Sequence, residues 1–197
     1  MGGKRSRGPR TYRPVWFYFS NFPQYELGYY GQAFLEAART LMRSLRRKRG
    51  FSNVSVAPVL FTYRHTIELF MKAIIVGAER PLSATEDEDV QLFAELGGHE
   101  LSRLLPRVRS TFETAGWEWW WPKNQYVETL DDVAALLGYI EKIDPRSFSF
   151  RYPVDKRGRR SIAKGVEIPF EVLVAALDAL ADALHVAAFG LSAERSR

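Results

Sequence analysis

Apolar positions fall at helical spacing in several stretches of this chain, separated by polar or turn-rich segments. From about Gln24 to Arg49, the residues Tyr30, Phe34, Ala38, Leu41 and Leu45 recur three to four positions apart, which predicts an amphipathic helix with one buried face. It closes on Arg43, Arg46, Arg47, Lys48, Arg49 and Gly50. Cations in a last turn oppose the negative end of the helix dipole and glycine stops a helix, so this cluster has a structural explanation first; RNA binding is the second reading. A second helix is predicted from about Ala57 to Gly77, with Pro58 in its first turn and Gly77 placed to end it. Its residues Leu60, Ile67, Phe70, Met71 and Ile74 form one wide apolar face, while Leu69 and Val76 lie nearly opposite. Such a helix belongs at the centre of a fold.

The stretch Glu79 to Glu95 is acidic, and its run Glu86-Asp87-Glu88-Asp89 reads as a solvated loop. A third helix is expected after Gly97-Gly98, carrying Leu101, Leu104, Leu105, Val108 and Phe112, with Pro106 a kink. Thr129 with Asp131 and Asp132 marks the start of a fourth, striped by Leu130, Val133, Leu137 and Ile140 and ending near Asp144-Pro145. The last runs from Pro169 to about Gly190. It buries Phe170, Leu173, Leu177, Leu180 and Leu184 and turns Glu171, Asp178, Asp182 and His185 the other way. Between these two, Phe148, Phe150 and Tyr152 alternate with polar residues and Asp155 to Gly158 has turn chemistry, so residues 147–168 read as an irregular loop or a short hairpin. The expected fold is all-α, a bundle of about five helices. Residues 1–23 are expected to form a basic arm and an aromatic segment, residues 24–191 the helical domain, and residues 192–197 a disordered tail.

Composition narrows the chemistry. The chain has 197 residues, 46% apolar and 14% aromatic, enough to bury one core. Zero cysteines exclude disulfides, thiolate catalysis and cysteine-ligated metals, and they fit a cytoplasmic setting. The three histidines, His65, His99 and His185, have no HExxH-type spacing, so neither a metal site nor a cofactor is expected. The most apolar stretch, Val172 to Leu191, carries Asp178 and Asp182 and is read as a helix of a soluble fold, outside a membrane. Net charge is +5, and Lys4, Arg5, Arg7, Arg10 and Arg13 stand in the N-terminal arm without an acid among them, a weak vote for a polyanionic partner. The run Trp117-Glu118-Trp119-Trp120-Trp121 cannot be buried on one face of a regular element, so some of its rings should be partly exposed or meet a partner.

The most informative segment is Phe61 to Ile74. Arg64 and Glu68 are four apart, as are Glu68 and Lys72, and His65 precedes Glu68 by three, so all four share one side of an otherwise apolar helix. Charge on a buried helix needs partners. One reading is a satisfied ion ladder at a helix–helix or dimer seam. The other is a polar pocket in which His65 is a general acid or base and Arg64 and Lys72 stabilise a phosphate, the set that metal-independent RNA cleavage needs. His99 either caps the third helix or reaches back toward the second. Arg146, Arg151, Lys156, Arg157, Arg159, Arg160 and Lys164 interleave with Phe148, Phe150 and Tyr152, a mixture that holds phosphates and stacks single-stranded bases or, alternatively, forms a solvated basic loop.

Tyr63-Arg64-His65-Thr66-Ile67-Glu68-Leu69-Phe70-Met71-Lys72-Ala73-Ile74-Ile75, followed by Gly98-His99-Glu100-Leu101 and Leu104-Leu105, resembles the paired-helix pattern of the HEPN superfamily. Phe150-Arg151-Tyr152-Pro153-Val154-Asp155 is similar to a segment of its uncharacterised bacterial members, and together these pieces span about half the chain. The resemblance implies a helical, often homodimeric protein of toxin–antitoxin or phage-defence systems, with RNA as partner, an antitoxin as a further one, and endoribonuclease activity without metal. The chemistry of the residues themselves, rather than the resemblance, makes Arg64, His65, Glu68 and Lys72 the candidate catalytic set and His99, Arg151 and Tyr152 the candidate substrate-binding set. The superfamily's usual Arg followed four to six residues later by His is absent, since no arginine occupies positions 58–60, 92–94 or 178–180. The alternative is a non-catalytic helical module that binds protein.

Overall fold

The computed structural model describes residues 23–48, 50–117, 126–162 and 165–194. They form six α-helices: α1 (Pro23–Arg46), α2 (Asn53–Glu79), α3 (Glu86–Glu95), α4 (Leu101–Ala115), α5 (Leu130–Ile143) and α6 (Phe170–Glu194). Among the described residues there is no strand, only one isolated bridge between Val154 and Arg160 that closes the Asp155–Gly158 turn. The all-α expectation holds, with six helices in place of about five.

The additional helix is α3. The acidic run expected to be a loop is its first turn: Thr85 caps the amide of Glu88, and the Glu88 carboxylate returns to the Thr85 amide at 2.7 Å. Four carboxylates at a helix N-terminus meet the positive end of the dipole, so the charge that reads as solvated loop nucleates helix here. The helix buries none of its residues.

Helix α2 is the axis, packed chiefly against α1 and α6 and then α4, while α5 leans on α4. Leu60, Ile67, Phe70, Met71 and Ile74 are all buried, as expected, together with Val59, Tyr63, Ile75 and Val76. The helix starts earlier and ends later than expected. Ser52 and Ser55 form a reciprocal cap, Pro58 lies inside the helix rather than in its first turn, and the last residue is Glu79, beyond Gly77. α4 likewise passes through Pro106.

The buried face of α1 is rotated from the expected one. Tyr30 and Leu41 are exposed, while Leu35, Ala38, Met42 and Leu45 face the core. Two glycines explain the rotation. A Cβ at Gly31 would come within 2.7 Å of the Phe70 ring, and one at Gly28 within 3.2 Å of Phe189. At these two positions α1 lies against its neighbours with no room for a side chain, and a reading based on bulk misses that face.

α6 buries Phe170, Leu173, Leu177, Leu180 and Leu184 as expected. Its length and apolarity would suffice to cross a membrane, but half of that stretch is buried in this fold. Asp178 and Asp182, expected on the face opposite the buried leucines, are bound by Arg39 of α1. His185 sits between Phe70 and Phe189, at 5.4 and 5.0 Å between ring centroids. The helix continues to Glu194, past the end expected near Gly190. Trp117 packs edge-on against Phe112; Trp119, Trp120 and Trp121, and the basic arm with its aromatic segment, lie outside the described residues.

Candidate functional site

Between α3 and α4, the segment Gly97-Gly98-His99-Glu100 crosses the side of α2 that carries Arg64, Glu68 and Lys72. Three hydrogen bonds tie it there. Lys72 Nζ donates to the Gly98 carbonyl at 3.1 Å, Arg64 Nη2 donates to the His99 carbonyl at 2.6 Å, and His99 Nδ1 lies 3.0 Å from Glu68 Oε1. Gly98 has a φ of +90°, a conformation that side-chain-bearing residues rarely adopt, and this turn directs His99 back onto α2. The cap of α4 is Glu100, with no side-chain bond, so of the two readings of His99 the return to the second helix is the one observed.

Glu68 is 2% exposed, and its carboxylate receives Lys72 at 2.8 Å as well as His99. Burial acts to raise its pKa, but the hydrogen bonds and charges of Lys72 and His99 outweigh it and hold Glu68 below the ordinary carboxylate range. The His99 side chain is 46% exposed. A buried anion therefore grips one nitrogen of an accessible imidazole; in the neutral tautomer that donates Nδ1–H to a carboxylate, Nε2 is the acceptor nitrogen.

Arg64 is wholly buried. Its neighbours are Glu68 at 3.8 Å and Asp144 at 3.6 Å, with the His99 carbonyl. Asp144, which sequence reading treats only as a helix stop, is equally buried. Its Oδ1 accepts from the Ser149 amide at 2.5 Å. It thereby organises a short 3-10 turn, Pro145–Ser147, in which Arg146 and Ser147 both adopt positive φ, a conformation that costs a non-glycine residue about 1–3 kcal/mol. Burial raises the Asp144 pKa, opposed by its amide donors and by Arg64; burial lowers that of Arg64, opposed by Asp144 and Glu68.

Arg64 thus has no exposed surface from which to meet a phosphate, as the sequence reading requires of it. Among the described residues, an exposed cation beside the cluster is Arg151. Its Nε donates to the Ser147 carbonyl at 2.5 Å, and its guanidinium lies over Phe61 at 5.5 Å and Tyr152 at 5.7 Å. Tyr152 is half exposed. Phe61 in turn stacks on His65 at 5.8 Å, and Phe34 meets the other side of that imidazole edge-on at 4.6 Å. Burial lowers the His65 pKa, with Glu68 opposing and His99, Lys72 and Arg151 adding to the fall, which favours the neutral imidazole.

The structure brings Arg64, Glu68, Lys72 and His99 into one bonded cluster and sets His65, Arg151 and Tyr152 beside it through Phe61. Among the described residues, no group of three histidines, aspartates or glutamates is arranged to hold a metal ion. Comparison with models of protein families, with curated proteins and with solved structures finds no match for this chain.

Proposed function

We propose that this chain is a HEPN-like protein that binds single-stranded RNA and cleaves it without metal, with His99 as the general base. The observation that carries this reading is the contact between buried Glu68 and accessible His99. In the proposed step, His99 Nε2 takes the proton of a ribose 2′-hydroxyl, the 2′-oxygen bonds to phosphorus, and the bond from phosphorus to the 5′-oxygen breaks. The departing oxygen takes a proton from water. Arg151 offsets the charge that grows on the phosphate, and Tyr152 stacks on a base. Glu68 is a positioning residue: it fixes the His99 tautomer and stabilises the imidazolium. Lys72, Arg64 and Asp144 hold Glu68 and the His99 backbone in place. The cytoplasmic toxin or phage-defence setting, a homodimer and an antitoxin partner are what the HEPN resemblance adds to the proposal.

One observation favours the non-catalytic alternative, in which the same charges are an internal ladder: Arg64 and Glu68 are almost entirely withdrawn from solvent. Incubating the full chain with single-stranded RNA in EDTA separates the two. The proposal expects cleavage that His99→Ala lowers by about 10²–10⁴-fold. It also expects Glu68→Gln to shift the pH profile of the residual rate. Intact RNA with the wild type, or undiminished cleavage by a folded His99→Ala, would overturn it.

A further inference from the structure

On the other side of α2 lies an open groove of about 670 Å³ between α1, α2 and α6. At 3.6 residues per turn, Tyr63, which lines it, stands about 140° around the helix from Glu68, so groove and His99 cluster face apart. The polar lining is Arg39, Arg43, Arg46, Tyr63, Asp178 and Asp182, three guanidiniums against two carboxylates.

These charges are not equivalent. Arg39 is committed. Its Nε and Nη2 reach the two oxygens of Asp178 at 2.7 and 3.1 Å, and Nη2 also reaches Asp182 at 2.6 Å. Tyr63 closes the set by donating to Asp178 Oδ1 at 2.9 Å. Arg43 is braced rather than neutralised, bonding the Arg39 carbonyl and the Thr40 hydroxyl. Among the described residues, neither Arg43 nor Arg46 has a carboxylate within ion-pair reach. One end of the groove therefore carries two uncompensated guanidiniums, fixed to one helix face by their i, i+3 spacing. Further along is Asp182, half exposed, with Oδ2 bonded to Arg39 and Oδ1 without a donor among the described residues. Between them Met42 of α1 and Val174, Ala175 and Ala179 of α6 form a low apolar wall.

We propose that this groove binds a small hydroxylated phosphomonoester of the sugar-phosphate class. Arg43 and Arg46 take the phosphate, the bidentate geometry for which guanidinium is suited. Asp182 accepts from sugar hydroxyls, and the C–H face of the sugar lies on the alanines. The volume is within the range of small-molecule sites. The committed Arg39–Asp178–Tyr63 network serves as a rigid floor. This site is independent of the ribonuclease reading and stands or falls apart from it.

Titration calorimetry on the full chain tests it with ribose 5-phosphate, glycerol 3-phosphate, free ribose and inorganic phosphate. Saturable binding of either ester, at least about tenfold tighter than ribose or phosphate alone, is the expected result. Arg43→Ala with Arg46→Ala, both exposed and so tolerable to the fold, should weaken the esters by more than about tenfold, and Asp182→Asn should erase their advantage over inorganic phosphate. No saturable binding at millimolar concentration, binding untouched by the double variant, or equal affinity for inorganic phosphate would each overturn the proposal. A short RNA binding there in place of the esters would overturn it too, by making the groove a polynucleotide surface.

Discussion

Arg64 Nε and Asp144 Oδ2 face each other at 3.6 Å in the interior, both side chains at zero exposure, and neither atom has a hydrogen-bond partner among the described residues. The pair is held by charge rather than by a formed hydrogen bond. Removing one member of such a pair strands the other in a medium that solvates it poorly. Asp144→Ala is expected to cost about 3–5 kcal/mol in urea unfolding, and Asp144→Asn less. A loss under about 1 kcal/mol for the alanine would show that Arg64 is compensated elsewhere.

The second expectation concerns acid. His65 titrates below its ordinary 6.5 in the folded protein, faced by Glu68, His99, Lys72 and Arg151. As pH falls through 6.5 the unfolded chain takes up this proton first, so stability declines in that window and is fully present above it. Glu68, held below 4.5, adds a further loss at lower pH, whereas Asp144, raised above 3.8, acts with the opposite sign. His65→Phe should therefore lose less melting temperature than the wild type between pH 7.5 and 5.5. Equal losses would place the sensitivity in other groups.

Two glycine substitutions should move stability in opposite directions. Gly31→Ala drives a methyl to 2.7 Å from the Phe70 ring, and overpacking of this kind costs about 1–3 kcal/mol. Gly138→Ala, on the exposed face of α5 with nothing within 4 Å of the added carbon, should gain about 0.5–1 kcal/mol from helix propensity. Chemical denaturation of both variants checks the pair, and a stabilised Gly31→Ala would contradict the close approach of α1 to α2.

If Arg151 meets phosphate, its removal should show in salt dependence. Binding of a single-stranded oligonucleotide is expected to weaken as salt rises, and Arg151→Ala should reduce the slope of log K against log salt by about 0.7. Tyr152→Ala should lower affinity by about 1–3 kcal/mol while leaving that slope unchanged, because stacking releases no counterion. An unchanged slope in the arginine variant would remove Arg151 from the phosphate path.

Much of the bundle is legible in the sequence because α2, α4, α5 and α6 bury large side chains at regular intervals. Where the buried face is built from Gly28 and Gly31, bulk points the wrong way, and Tyr30 and Leu41 are taken for core. Local charge misleads at Glu86–Asp89 because a solvated run and a capped first turn have the same composition. At the site, the four-residue spacing of Arg64, Glu68 and Lys72 announces a shared side. It does not announce Asp144, whose Asp-Pro context reads as a helix stop, nor that Arg64 lies inside while His99 lies at the surface. The bond from Arg39 to Asp178 and Asp182 spans 139 and 143 residues, a separation at which no local pattern operates.

The dependence of α2 on α6 also bears on how the chain is made. Every other helix leaves the ribosome before α6, so α1 and α2 emerge early with the apolar strip of α2 that α6 will cover still bare, and Arg39 still without its aspartates. During that interval the nascent chain carries a sticky surface beside an unanswered cation, the condition under which holding chaperones are recruited and truncated products aggregate. A ribosome stalled before residue 170 should accordingly hold a chain that protease cuts readily, and release of the last helix should close it.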